Sequence, residues 1–248
     1  MTDRAAILQA ILPQVPFDGW SDAAFAAACA DLGISIAQGR AVVPRGAVDL
    51  AADHHKAGDA AMVAAVRAAD MAGLKFRDKV ALALRLRLRG LDREEVRRAS
   101  ALFALPYHAP EGARLIWGTA DAVWTALGDT SVDLNWYTKR ATLAAVWGAV
   151  VLYWLGDDSA DGQATDAFID RRIGDVMQIE RWKAQANAAP VLRPLTAILS
   201  RLSAGIRAPG QTGSQHGGRA AGRAGGRDGG RSDDLPGYWS NPPAGPQE

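Results

Sequence analysis

Ser21-Asp22-Ala23-Ala24-Phe25-Ala26-Ala27-Ala28-Cys29-Ala30-Asp31-Leu32-Gly33-Ile34-Ser35-Ile36-Ala37-Gln38-Gly39-Arg40 reads as two helices around a glycine. Ser21 suits an N-cap, and Asp22 complements the positive end of the helix behind it. Alanine, the best helix former, dominates as far as Leu32. Gly33 punctuates the run, Ile34 to Arg40 supports a short second helix, and Pro44 opens the next. Upstream, Ile7, Leu8, Ile11 and Leu12 form a helical stripe that Pro13 and Pro16 are expected to terminate. Helix, turn, helix, glycine, short helix is therefore the order from Asp3 to Arg40.

The helical reading continues downstream. Val48 to Ala72 is expected to break near Gly58. Phe76 to Leu88 and Arg93 to Leu105 follow, the second stopped by Pro106. Glu111 to Leu127 ends at Gly128, Asn135 to Leu155 ends at Gly156, and Asp161 to about Ala188 precedes Val191 to Ile206. No stretch keeps a period-two alternation for long. About ten helices without strands predict an all-α bundle. Beyond Ile206, Gly217-Gly218-Arg219, Gly222-Arg223, Gly225-Gly226-Arg227 and Gly229-Gly230-Arg231 recur almost without apolar residues. Residues 207–248 are thus expected to be a disordered, solvated tail. An Arg-Gly arm of this kind can also bind RNA.

The unit from Asp3 to Arg40 is similar to the DNA-binding third of TetR-family regulators. There the short third helix enters the major groove and flanking cations hold phosphates. Here Ile34 to Arg40 supplies Gln38 and Arg40 but no basic cluster. Residues 1–60 carry four cations (Arg4, Arg40, Arg45, Lys56) against seven anions (Asp3, Asp18, Asp22, Asp31, Asp49, Asp53, Asp59), a net −3. Phosphate contacts supply most non-specific duplex affinity, so this head is expected to bind DNA poorly. The whole chain of 248 residues carries +1, which gives no global reason to bind nucleic acid.

Other classes are disfavoured by what the chain lacks. The single Cys29 rules out an intrachain disulfide framework and sits on an alanine-rich helical pattern as a small apolar residue. No run reaches the ~18 apolar residues of a spanning helix. Met1-Thr2-Asp3-Arg4 opens directly into a helix pattern, without the shape of a secretory or transit segment, so a cytoplasmic location is expected. His54 and His55 are adjacent and point about 100° apart on a helix, which does not chelate one ion. No nucleophile elbow or Walker loop occurs, and the acid pairs Asp157-Asp158 and Glu94-Glu95 sit where capping and solvation explain them. Neither a metal site nor a catalytic role is expected.

Two indole stripes have heptad spacing, Trp117 with Trp124 and Trp147 with Trp154. Ordinary core explains such stripes. Small neighbours (Ala144, Ala145, Gly148, Ala149) also leave room beside the rings for an apolar ligand between helices. Asp133-Leu134-Asn135-Trp136-Tyr137-Thr138-Lys139-Arg140 is denser still. Adjacent Trp136 and Tyr137 cannot both face a core squarely, so either they share a packing role or one contacts a partner. This stretch resembles the signature of the coenzyme Q biosynthesis accessory family, whose members combine a TetR-like fold with lipid binding. Asp121, Trp124, Asp133, Asn135, Trp136, Tyr137 and Arg140 fall on its Asp-x-x-Trp and Asp-x-Asn-Trp-Tyr-x-x-Arg positions, with Lys139 a mild variation. The resemblance covers roughly Asp3 to Leu202 and is most specific between Gly112 and Met177.

The resemblance implies an isoprenoid channel among the C-terminal helices, lined by Leu115, Trp117, Val123, Leu143, Trp147, Val150, Val151 and Trp154. It implies that the aromatic segment contacts the diiron hydroxylase of the demethoxyquinone intermediate. Val191, Leu195, Ile198, Leu199, Leu202 and Ile206 share one helical face flanked by Arg193, Arg201 and Arg207. Core docking and membrane contact give the same stripe; the family uses such a helix at the membrane, through Leu195, Ile198, Leu199 and Leu202 here. Residues 75–98 hold nine cations against four anions, either a solvated face or an attraction to anionic headgroups or an acidic partner.

Taken with the resemblance, the expected organisation is a helix-turn-helix-like subdomain over 1–60 that does not bind DNA. A helical lipid-binding domain over 61–206 and the tail follow. The expected role is an accessory protein of ubiquinone biosynthesis, peripheral on the cytoplasmic side of the inner membrane or the mitochondrial matrix side. Its ligand would be an isoprenoid quinone or other lipid, without a cofactor, and it would have capacity to form a homodimer. A TetR-type regulator sensing an apolar ligand is the alternative.

Overall fold

The computed structural model describes residues 3–132 and 134–188, with side chains described as far as residue 176. The elements in order are α1 (Arg4–Ile11), a 3-10 turn (Leu12–Gln14), α2 (Val15–Asp18), α3 (Asp22–Asp31), α4 (Ile36–Val42) and α5 (Ala47–Ala68). Then come α6 (Phe76–Leu88), α7 (Arg93–Ala104), α8 (Ala109–Ala126), α9 (Leu134–Leu155), a 3-10 turn (Ala160–Gly162) and α10 (Gln163–Ala188). No strand occurs among the described residues, and the bundle is all-α as expected. The expected helix Val191 to Ile206 and the Gly/Arg-rich tail lie outside the described residues.

Side-chain caps set the starts of α1, α3, α4 and α7. Ser21 accepts the Ala24 amide at 3.2 Å, and Ser35 forms a reciprocal capping box with Gln38. Asp92 accepts the amides of Glu94 and Glu95 at 2.8 and 3.0 Å. α1 ends at Ile11, just ahead of Pro13, as the sequence predicts, but helical turns continue because both prolines occupy first-turn positions where no amide is needed. The chain passes through the 3-10 turn into α2 and stops at Gly19, whose φ of 67° suits glycine. Gly58 does not break α5. A Cβ there would lie 2.4 Å from Arg87 Nη1, so the glycine makes room for a guanidinium arriving from α6.

Two cores form, and α5 belongs to both. Ile7, Ile11, Val15, Phe25, Cys29, Val43 and Leu50 are buried together at the N-terminal end. Val80, Leu84, Val123, Trp124, Leu143, Val150 and Ile169 are buried together in the C-terminal body, with Met62 and Val66 from α5. α5 thus runs through residue 60, the expected subdomain boundary. Burying one such side chain stabilises by about 1.5–3 kcal/mol, so both cores hold it in place.

The basic run 75–98 is spent largely on internal contacts rather than on a free cationic face. Arg85 of α6 holds Asp166 and Asp170 of α10 at 2.9 and 2.8 Å. Arg93 of α7 donates to the Asp157 carbonyl and lies over the Trp154 ring. Arg97 donates to the Leu155 carbonyl at 3.0 Å, and Arg98 to the Pro16 carbonyl at 2.9 Å. These bonds tie α7 to α2 and to the end of α9. Among the described residues, no helix is long and apolar enough to cross a membrane.

Gly58→Ala tests the close approach. Displacing Arg87 should cost about 1–3 kcal/mol by the usual overpacking penalty. Chemical unfolding of the two proteins measures it, and equal stabilities would mean that Arg87 relaxes freely.

Candidate functional site

A cavity of about 400 Å³ lies between α5, α6, α7, α8 and α9. α7 forms one wall with Val96, Ala99, Ser100 and Phe103, spaced so that one helical face looks inward. None of the residues of α7 is fully buried, since its inner face borders this space. Leu115 and Ile116 of α8 and Trp147, Gly148 and Val151 of α9 form the opposite side. Ala104, Ala109, Ala113 and Leu152 line the cavity and are exposed, which marks the rim. Gly112 lets α7 and α8 approach closely, since a Cβ there would lie 2.9 Å from that of Phe103.

Apart from Ser100 on α7, the polar part of the lining lies where α5 and α6 meet. Arg87, only 3% exposed, donates from Nε to Asp59 at 2.7 Å and from Nη2 to the His55 carbonyl at 2.9 Å. Its guanidinium lies 5.4 Å from the Trp147 ring centre. Asp59 also accepts from Thr119 Oγ1 at 2.9 Å, and the same hydroxyl lies 2.9 Å from His55 Nε2. Burial pushes the His55 imidazole down to about 4, although Asp59 opposes the shift, so it is neutral at pH 7. Burial and then Arg87 lower His54 as well. His54 packs against Trp20, and its Nε2 is 3.4 Å from the Glu95 carboxylate. Burial raises Glu95 above its ordinary value, with Asp92 adding to the shift. No group of three or more His, Cys, Asp or Glu side chains gathers for a metal among the described residues.

A second arrangement staples α8 to α9. Asp129, in the connecting loop, accepts from Lys139 Nζ at 2.9 Å, Arg140 Nη1 at 3.0 Å and Ser131 Oγ at 2.8 Å. Arg140 reaches Asp121 at 2.5 Å and lies 4.0 Å from the Trp136 ring centre. Trp124 stacks on Phe76, donates to the Lys139 carbonyl at 3.2 Å and carries the Lys139 ammonium over its ring. Burial alone would raise the Asp129 carboxyl. The bonds from Lys139, Ser131 and Arg140 outweigh it and hold the group below the ordinary carboxylate range.

The sequence-selected residues fall into distinct places. Leu115, Trp147 and Val151 line the cavity. Val123, Leu143 and Val150 are buried in the C-terminal core instead, and Trp154 sits under Arg93. Trp117 is half-buried and faces Trp136, with ring centres 6.1 Å apart. Of the segment assigned to a partner, Trp124 and Arg140 are buried, and Asp121 is tied to Arg140. Asn135, Trp136 and Tyr137 are half-buried, the two rings meeting edge to face at 4.8 Å. Asp133, Leu195, Ile198, Leu199 and Leu202 lie outside the described residues. Sequence reading missed Arg87, which hides in a basic run, and weighed His54 and His55 only as metal ligands. The inward stripe Val96, Ala99, Phe103 was a readable signal, having helical spacing.

A TetR-like helical bundle with an apolar interior cavity is thus the class of protein that fold and site define. The structure is similar to the TetR transcriptional regulator from Nitrosomonas europaea, with a TM-score of 0.57 at 17% identity, over 69% of this chain and 95% of that one. Residues 109–180, which hold α8, α9 and the staple, match the COQ9 family model. Among curated proteins, the chain is similar to the ubiquinone biosynthesis protein COQ9, mitochondrial, of Homo sapiens. The identity is 37% over 82 residues, 33% of this chain and 26% of that protein. The probable ubiquinone biosynthesis protein coq9, mitochondrial, of Dictyostelium discoideum is 33% identical over 46% of this chain and 38% of its own length. The Drosophila melanogaster COQ9 protein is 29% identical over 73% of this chain and 57% of its own length. The resemblance to the coenzyme Q accessory family on a TetR-like fold holds, and its strongest part spans about a quarter of the human relative.

Asp129→Asn should lower stability by about 3–5 kcal/mol at pH 7, because it leaves the buried Lys139 without its carboxylate and Arg140 with Asp121 alone. A carboxyl depressed on folding contributes stability above its unfolded value of about 3.9, and this is lost as pH falls through the lower folded value. The gap between wild type and variant in urea unfolding should therefore be full at pH 6 and narrow below about pH 4. A pH-independent gap would remove Asp129 from this account.

Proposed function

We propose that this chain is an accessory protein of ubiquinone biosynthesis that binds an isoprenylated quinone intermediate in the cavity. It presents that lipid, at a membrane surface, to the diiron demethoxyquinone hydroxylase. The observation that carries the reading is the apolar cavity bordered by α8 and α9, within the segment similar to COQ9. A space of about 400 Å³ lies in the ordinary range for small-molecule sites. It accommodates a ring and the start of a tail, and the rest of a long tail leaves past the exposed rim. In this reading the chain makes and breaks no bond: it lifts an apolar substrate out of the bilayer and orients it.

The half-buried Trp136 and Tyr137 are the partner surface of this reading, held in position from below by Arg140 and Asp129. The membrane contact is assigned to Leu195, Ile198, Leu199 and Leu202, on the inner membrane's cytoplasmic or matrix side. A second copy of the chain competes for the same residues. The regulator alternative shares the fold, but α4 lacks the equipment to read DNA. Its exposed face carries Ile36, Ala37, Ala41 and Val42. Gln38 is held in the capping box, and Arg40 is engaged by Asp22 at 2.9 Å and by the Pro44 carbonyl. Duplex binding rests on free phosphate-seeking cations, and this helix offers none.

Mass spectrometry of organic extracts from gently purified protein should recover isoprenoid quinones or their precursors above a control protein. Extracts free of lipid would count against the reading. Tyr137→Ala should weaken binding to the cognate hydroxylase by about 2 kcal/mol, a typical hot-spot loss, with unchanged thermal unfolding. Calorimetric titration that finds native affinity would remove the aromatic pair from the partner surface.

A further inference from the structure

Three buried nitrogens beside the cavity make no hydrogen bond within the fold, although one of them, His54 Nε2, has the Glu95 carboxylate 3.4 Å away. His54 Nε2, Arg87 Nη1 and Trp147 Nε1 are buried, make no hydrogen bond, and belong to residues that line the space. They share one cavity wall: Arg87 lies over the Trp147 ring, and its charge acts on the His54 imidazole. Buried N–H groups almost always find an acceptor, so three leftover nitrogens on one wall call for an explanation. We propose that they form a head-group subsite for a neutral ring bearing carbonyl or hydroxyl oxygens, with an aliphatic tail running toward the rim. The subsite rests on the lipid-binding reading above and states which end of the lipid enters first.

Charge decides the class of head. Arg87 is already balanced by Asp59, and the neighbouring histidines are neutral at pH 7. Glu95 faces the same wall through His54. An anionic carboxylate or phosphate would meet no uncompensated cation there and would lose its hydration in an otherwise apolar space. A quinone or phenol oxygen loses less on entry and satisfies Trp147 Nε1 and Arg87 Nη1, which are donors only. His54 Nε2 donates or accepts according to its tautomer, so it serves a carbonyl or a hydroxyl.

Calorimetric binding of three probes to the full chain tests the subsite: decylubiquinone, decylbenzene and decanoate. Wild type should bind decylubiquinone more tightly than either of the others. Trp147→Phe keeps the ring and removes one donor; His54→Phe does the same at the second position. Each should lower decylubiquinone affinity about fivefold, the usual effect of one hydrogen bond, while decylbenzene affinity stays unchanged. Taking the ratio of the two affinities within each variant removes any general loosening of the fold. An unchanged ratio in both variants overturns the subsite. Tighter binding of decanoate overturns the neutral head. If neither decyl compound binds wild type, the lipid-binding reading itself fails, and the subsite fails with it.

Discussion

The Arg87 guanidinium enters the interior as a full charge, and the helices around it are arranged by what that charge needs. Asp59 on α5 balances it, the His55 carbonyl takes a second N–H, and Trp147 on α9 covers its face. α5 yields space through Gly58, and α8 sends Thr119 to fix Asp59. Four helices therefore meet at one buried ion pair. A buried pair of this kind adds little net stability, but breaking it is costly, so it fixes geometry more than it strengthens the fold. The pair lies at the edge of the cavity, which α7 closes on the far side.

The α8–α9 staple solves a different problem. Two long helices with apolar faces can slide past one another without losing much burial. Asp129 removes that freedom by holding Lys139 and Arg140 from the loop, while Trp124 bonds the Lys139 carbonyl. The register so fixed brings Leu115 of α8 and Trp147 of α9 to the same cavity wall. It also sets Trp136 over Arg140. Of the described residues that make the segment recognisable, Trp124 and Arg140 are buried, and Asp121, Asn135, Trp136 and Tyr137 are half-buried.

Much of this architecture was legible in the chain. Phe76 to Leu88 matches α6 at both ends, and Ser21 caps the helix it was read to cap. Local signals, a cap or a glycine stop, have local causes and survive folding. Gly58 was misread because its cause lies 29 residues away, on α6. The indoles were found by spacing, but spacing did not say what each would face. Seven residues fall short of two turns by about 20°, and the neighbouring helices differ along each stripe. Trp124 enters the core, Trp147 borders the cavity, Trp154 lies under Arg93 and Trp117 meets Trp136. Arg87 was illegible because a buried arginine and a solvated one look alike in a basic run.

α7 is anchored at its ends and through Arg97 and Arg98 but buries none of its residues fully. Elements with little burial open at the smallest free-energy cost in a native protein. The wall of the cavity is held by partial burial and by end contacts rather than by a fully buried face. A molecule filling that space would touch the inner face of α7, so its binding and the docking of α7 are coupled. Linkage then fixes the sign: what loosens α7 weakens retention of the occupant, and the occupant in turn quiets the helix.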